Sequence, residues 1–515
     1  MPEKLKIFIK KGLNCNLFML KCKKVLKNMS GNSIFSPKIL TTITYKERIL
    51  AIQIIDKRKR MSIYVNRILN MKQIKVIGFD MDHTLVRYHS DKFEELTFKI
   101  SIDKLIKDLG YPEIIRNFKF DFTKAIRGLV IDKEYGNILK VSLYSRIKNS
   151  YHGTRPLSYK EQLKLYGGAN IDLREGRYLS VDTTFSIAFV IIFSQLIDLK
   201  NSNPELDLPI FSELADDVIH VVDIAHRDGT LKEEVKANLE TYVIKEEAVV
   251  VALERYKKYG KRLWIITNSG YAYTKALLDH CITPFLKDHK CWSELFEITV
   301  TLSAKPKFFT DHLSFLKVDT KSGLLENYDK KLEPGIYQGG FGKKLQKDMG
   351  VEENEILYLG DHIYGDILKL KKACAWRTAL VIEELDSEVV AYKSTKNISV
   401  EIDQLMAKKV EIEKEIDDLY SKEFEHGEKV NKDTLHAKFD EVEKIDKNLG
   451  KHIKSYESHF NPMWGEVMRA GAEPSFFAEQ VERYACIYMT KISDFNDVSP
   501  RMYFRPGKRR LSHEI

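Results

Sequence analysis

A chain of 515 residues allows two to four domains and a sizeable core, and its 43% hydrophobic and 30% charged residues exclude neither folding nor ordinary globular behaviour. The formal charge of +9 suggests an acidic partner, but residues 1–60 hold 15 Lys+Arg against Glu3, Glu47 and Asp56, a local +12 that leaves −3 for the rest. A slightly acidic body lacks the basic face that nucleic acid demands, so no nucleic-acid partner is expected. Six scattered cysteines without a CxxC pair fit a reduced, cytoplasmic protein.

In chain order, residues 1–60 lack periodicity and read as a disordered basic extension, neither signal peptide nor membrane anchor. Five β-branched apolar runs then predict strands at Ile74–Phe79, Leu263–Ile266, Ile298–Leu302, Ile356–Leu359 and Thr378–Ile382. Their continuous apolarity predicts a parallel sheet covered on both faces, an α/β fold with helices such as Glu246–Tyr259 and Tyr273–His280 between strands. Residues 61–90 and 236–400 therefore read as the core. Residues 91–235 are too long for a loop and read as an inserted domain capping the strand ends, with Phe185–Ile197 a buried helix too short to span a bilayer. Residues 401–500 read as a helical hairpin packing on the core: Ile412, Ile416 and Leu419 form one stripe, and Leu435, Phe439, Val442, Leu449, Ile453, Tyr456 and Phe460 the other, with the turn near Gly427. Residues 501–515 are a basic tail.

Four strand ends carry chemistry. Phe79-Asp80-Met81-Asp82-His83-Thr84 places two carboxylates where a buried strand exits, a costly arrangement unless they meet a cation or a reacting group. Thr267-Asn268-Ser269 supplies small donors suited to phosphate oxygens. Lys305 follows the third strand and offsets phosphate charge. Gly360-Asp361-His362-Ile363-Tyr364-Gly365-Asp366 supplies two carboxylates of the hard-oxygen kind that Mg²⁺ prefers.

This order resembles the haloacid dehalogenase superfamily of aspartate-dependent phosphotransferases. The segments VNRILNMKQIKVIGFDMDHTLVRY, IITNSGYAYT, AKPKFF and ILYLGDHIYGDILKLKK further resemble the cytosolic purine 5′-nucleotidases, the enzymes that favour IMP and GMP. The resemblance implies a Rossmann-like core with Asp80 as nucleophile and Asp82 as general acid and base. It also implies that Thr267, Asn268 and Ser269 border the phosphoryl group and that Lys305 steadies it. Mg²⁺ is expected on Asp80, the backbone carbonyl of Asp82, Asp361 and Asp366. Phe185, Asp223, His226 and Lys232 match the base- and ribose-binding positions, while Ile219 replaces a family arginine. Tyr364, Gln480, Arg483 and Tyr484 match part of an allosteric nucleotide site, whereas Arg155, Asp172, Ser180 and Asp182 depart from it. A homo-oligomer, dimer or tetramer, is implied, with no membrane partner. The competing expectations are a phosphatase for another phosphorylated metabolite and a non-catalytic nucleotide-binding module.

Overall fold

The computed structural model describes residues 62–167, 171–508 and 512–514; the expected basic extension over residues 1–60 lies outside the described residues. A ten-stranded sheet forms the centre. In chain order its strands are β1 (Ile63–Val65), β2 (Val76–Phe79), β3 (Arg262–Ile266), β4 (Ile298–Thr301), β5 (Phe315–Val318), β6 (Leu325–Tyr328), β7 (Gly335–Gly339), β8 (Ile356–Gly360), β9 (Arg377–Val381) and β10 (Ile487–Met489). They lie side by side as β1-β10-β9-β8-β2-β3-β4-β7-β5-β6. From β10 to β7 every neighbouring pair is parallel, and only the edge strands β1, β5 and β6 run antiparallel to their neighbours. The five strands expected from apolar runs are the five contiguous central ones.

Their uninterrupted apolarity follows from burial on both faces. Ile77, Phe79, Leu263, Ile265, Leu357 and Leu359 pack into one core, while Val76, Trp264, Ile266, Ile356 and Tyr358 pack into a second. Helices Glu247–Lys258 and Tyr271–Cys281 lie close to the expected bounds. The common strand direction brings Asp80, Thr267, Leu302–Lys305 and Asp361 to one edge of the sheet, where a ligand site is expected in an open parallel fold.

The insertion leaves and returns through a paired stem, Arg87–Tyr88 against Val243–Ile244. It holds a five-stranded antiparallel sheet and the helices Ser90–Leu109, Ile187–Ser202 and Phe211–Arg227. Helix Ile187–Ser202 covers most of the segment expected to be buried, but the helical run Thr184–Ser202 has 19 residues, longer than expected. By length and composition it is long and apolar enough to cross a membrane; here its apolar side chains fill the core of the insertion.

Two expectations at the C-terminus need correction. The hairpin is Lys396–His426 and Lys432–Glu457, joined at Gly427, and its seam of Ile412, Ile416 and Ile445 with Leu405, Tyr420, Leu435 and Val442 is a small core of its own. Phe439 and Ile453 stay exposed. The chain then returns through helix Phe476–Tyr484 to β10, so the later part of residues 401–500 belongs to the central sheet. The three-residue β10 is too short to announce itself by periodicity. The tail from 501 is also tied down at its start, since Tyr503–Phe504 pairs with Leu69–Asn70 and Phe504 is buried.

Candidate active site

Asp80 is the first residue beyond β2, and its backbone N–H donates to the Leu359 carbonyl (2.8 Å), which sets it beside the end of β8. The Nζ of Lys305 lies 2.7 Å from Asp80 Oδ1 and 2.8 Å from Asp366 Oδ1. It also donates to the Tyr358 hydroxyl (3.0 Å), which donates in turn to the Ile266 carbonyl (3.0 Å). Carboxylate oxygens of Asp80, Asp361 and Asp366 all fall within 4.8 Å of one another. That approach requires Gly360: a Cβ there would stand 2.4 Å from Asp366 Cβ.

The electrostatics of this cluster ask for more positive charge. Burial pushes the Asp80 carboxyl well above the usual carboxylate range, with Lys305 opposing and Asp366 and Asp361 adding to it. Burial likewise pushes Asp361 up to about 6, against His83 and Arg127. Asp361 Oδ2 is buried without a hydrogen-bond partner. Three buried carboxylates around one lysine, one of them with an orphaned oxygen, fit a hard divalent cation such as Mg²⁺.

Asp82 lies in the turn beyond Asp80, closed by Val86 N–H on the Met81 carbonyl (2.9 Å), with His83 in the left-handed region at φ 52°. Its Oδ1 accepts from the Tyr88 hydroxyl (2.5 Å) and its Oδ2 from the Ser269 hydroxyl (2.7 Å). Lys232 Nζ donates to Ser269 Oγ (3.1 Å), so a residue from the base of the insertion reaches the same network. Thr267 is buried, and its Oγ1 accepts from Ser269 N–H (3.0 Å). Asn268 is committed elsewhere: its carboxamide accepts from Ser303 Oγ (3.0 Å) and Lys305 N–H (2.6 Å) and donates to the Lys305 carbonyl (3.1 Å). It thereby holds the loop on which Leu302 and Ala304 have positive φ and Lys305 is presented.

The 5′ nucleotidase family model matches residues 63–515 of this chain. The chain belongs to the 5′-nucleotidase family. It is 26% identical over 461 residues to a 5′-nucleotidase domain-containing protein of Dictyostelium discoideum, covering 88% of this chain and 75% of that one. Its identity to human and rat 5′-nucleotidase domain-containing protein 2 is 26% and 27% over 468 residues, covering 88% of this chain and 85% and 80% of theirs. The enzyme is a 5′-nucleotidase, and its reaction is hydrolysis of nucleoside monophosphates.

The nucleotidase brings some of the expected substrate residues together and leaves one apart. Phe185, half-buried, stands edge-on to His83 (4.5 Å between centroids) and to His226 (4.9 Å), with Phe93 behind it (5.7 Å). Burial and Lys232 push His226 down to about 4, so its imidazole is neutral, and its Nε2 is buried without a partner. Asp223 is different: its side chain is 58% exposed and paired with Arg227 at 3.1 Å. Ile219 packs against the core of the insertion. Of the positions matched to an allosteric site, Tyr364 and Tyr484 each face a lysine, Lys369 and Lys372, at 5.0 and 6.0 Å.

Several residues of this nucleotidase site carried no signal in the sequence. Tyr88 and Tyr358 reach Asp82 and Lys305 from other strands; Tyr358 in its apolar run reads as core, and a lone Tyr88 between Arg87 and His89 carries no mark of a site. Burial pushes Glu383 up, but His83, Arg87 and Ser90 outweigh it and hold the carboxyl at about 2. Arg127 is 1% exposed and donates to the Asp361 carbonyl (2.8 Å). A buried arginine in an insertion can be found only once the fold has placed it. A cavity of about 770 Å³ beside these groups is walled by Asp91, Glu383, Glu384, Asp386 and Glu388, with neither Lys nor Arg in its lining. That acidic wall disfavours an anion in this cavity.

Proposed function

We propose that this enzyme hydrolyses purine nucleoside 5′-monophosphates of the IMP and GMP type, with Mg²⁺, on a haloacid dehalogenase-type core capped by the insertion. The observation that carries the reading is Lys305 bridging Asp80 and Asp366 beside Asp361 at the ends of parallel strands. Asp80 attacks phosphorus, forming an aspartyl-phosphate and splitting one displacement into two easier ones. Met81 N–H (2.7 Å) and Lys305 both bond Oδ1, so Oδ2 is the attacking oxygen. Asp82 gives its proton to the departing ribose oxygen, then takes one from the water that cleaves the acyl-phosphate and regenerates Asp80. The Tyr88 and Ser269 hydroxyls hold the Asp82 carboxylate in place for both transfers.

Thr267 accepts from Ser269 N–H, which leaves its own hydroxyl proton to donate to a phosphoryl oxygen. Mg²⁺ held by Asp80, the backbone carbonyl of Asp82, Asp361 and Asp366 supplies positive charge against the phosphoryl oxygens when bound. A nucleoside hydroxyl that displaces water in the second step would receive the phosphate instead. The purine preference rests on the flat face of Phe185, the neutral His226 and Lys232 rather than on Asp223, whose carboxylate is exposed and paired. A panel of phosphorylated metabolites assayed with Mg²⁺ tests it. IMP and GMP are expected to turn over fastest, and a higher kcat/KM for a pyrimidine nucleotide or a non-nucleotide ester would overturn the substrate assignment.

A further inference from the structure

Arg127 belongs to the insertion, in the stretch that leads into strand Leu129–Asp132, yet most of its guanidinium bonds are to the core. Nε and Nη2 form a two-pronged pair with Glu384 (3.0 and 2.8 Å) beyond β9. Nη1 donates to the Asp361 carbonyl at the end of β8 (2.8 Å) and, at 3.4 Å, to Val381 at the end of β9. Nη2 also reaches Thr184 Oγ1 (3.3 Å), the residue before Phe185, and the guanidinium lies 5.8 Å over the Phe477 ring. The next residue must be glycine: at Gly128 φ is +87° and a Cβ would stand 2.7 Å from Phe477 Cβ.

One buried group thus ties the ends of two adjacent strands to the segment carrying Phe185. The Asp361 side chain has no hydrogen bond at Oδ2 to orient it, so the backbone that Arg127 grips is what aims it at Asp80 and Asp366. Glu384 pairs with the guanidinium at 2.8 Å, which would limit its charge against a cation bound by the carboxylates. We infer that Arg127 is a positioning residue for the cation site, and that through it the seating of the insertion on the core sets the geometry of Asp361. The inference rests on the Mg²⁺ reading given above.

The test is Mg²⁺ binding to the purified full chain without substrate, by calorimetry. Arg127→Met is expected to raise the Mg²⁺ dissociation constant about ten- to hundredfold, the usual effect of removing a partner that orients a ligand. Arg127→Lys, which keeps the charge but not the fork, should recover only part of the loss. Glu384→Gln, which leaves the shape and frees the guanidinium, should weaken binding in the same direction and decides the matter where Arg127→Met fails to fold. A merely structural role would lower the unfolding temperature and leave the dissociation constant of the folded protein alone. Wild-type affinity in folded Arg127→Lys and Glu384→Gln would overturn the inference. A wild-type chain that binds no Mg²⁺ would instead overturn the cation site, and the role of Arg127 with it.

Discussion

Replacing Lys305 with methionine removes one ammonium and keeps the length of the side chain. The lysine side chain is 4% exposed, and its partners Asp80 and Asp366 are 13% and 3% exposed, so water replaces little of what is lost. Breaking a buried ion pair costs about 3–5 kcal/mol because the remaining charge is left uncompensated. Here two carboxylates lose the same cation while Asp361 stays within 4.8 Å, which puts the expected loss at the upper end. The carboxylates limit the damage by taking up protons. Burial already holds Asp80 well above the usual carboxylate range, and losing Lys305 raises it further.

A folded-state pKa raised above the unfolded one means stability is lost as pH rises, so the variant should be hurt less at pH 5 than at pH 8. Unfolding in EDTA at the two pH values measures this, and added Mg²⁺ should stabilise the variant more than the wild type. An unfolding midpoint equal to wild type at pH 8 in EDTA would refute the view that Lys305 compensates these carboxylates.

Asp80→Asn should fold and lose turnover by several orders of magnitude, while near-normal nucleotidase activity would remove Asp80 from the mechanism. Tyr88→Phe deletes the 2.5 Å bond to Asp82; a hydrogen bond to a charged group is worth about 1.5–3 kcal/mol, so kcat should fall about ten- to a hundredfold with KM little changed. A kcat within twofold of wild type would contradict the assigned geometry. Burial pushes Glu388 up to about 7 from 4.5, so the folded state holds its proton more tightly and loses stability as pH climbs between those values. Glu388→Gln should therefore raise stability above pH 7 by on the order of 3 kcal/mol at most and give no gain below pH 4.5, as unfolding midpoints across pH will show.

What the sequence revealed depended on how local each signal is. The five central strands are buried on both faces, so their apolar runs are unbroken, and four of them lead into a polar residue of the candidate site: Asp80, Thr267, Lys305 and Asp361. β7 reads GIYQG and is bounded by glycine, β10 has three residues, and both owe their pairing to neighbours already in place. Asn268 shows the same limit in the site. Its position beyond β3 marked it as a donor near phosphate, but its carboxamide is held by the loop that presents Lys305, a contact across 37 residues. Tyr88, Tyr358 and Arg127 meet Asp82, Lys305 and the Asp361 carbonyl only through the fold, since a lone tyrosine or arginine has no local mark of function. Asp223 shows the reverse, a position matched by resemblance whose side chain turns outward on helix Phe211–Arg227 to pair with Arg227.

The central claim, covalent catalysis by Asp80, is tested most directly by trapping the phosphoenzyme. The enzyme is mixed with IMP and Mg²⁺, quenched in acid during turnover, reduced with borohydride and read by peptide mass spectrometry. Acyl-phosphate chemistry at Asp80 predicts that reduction alters the side chain at position 80 and no other. Steady hydrolysis with position 80 unaltered, or the altered side chain at another residue, would contradict it.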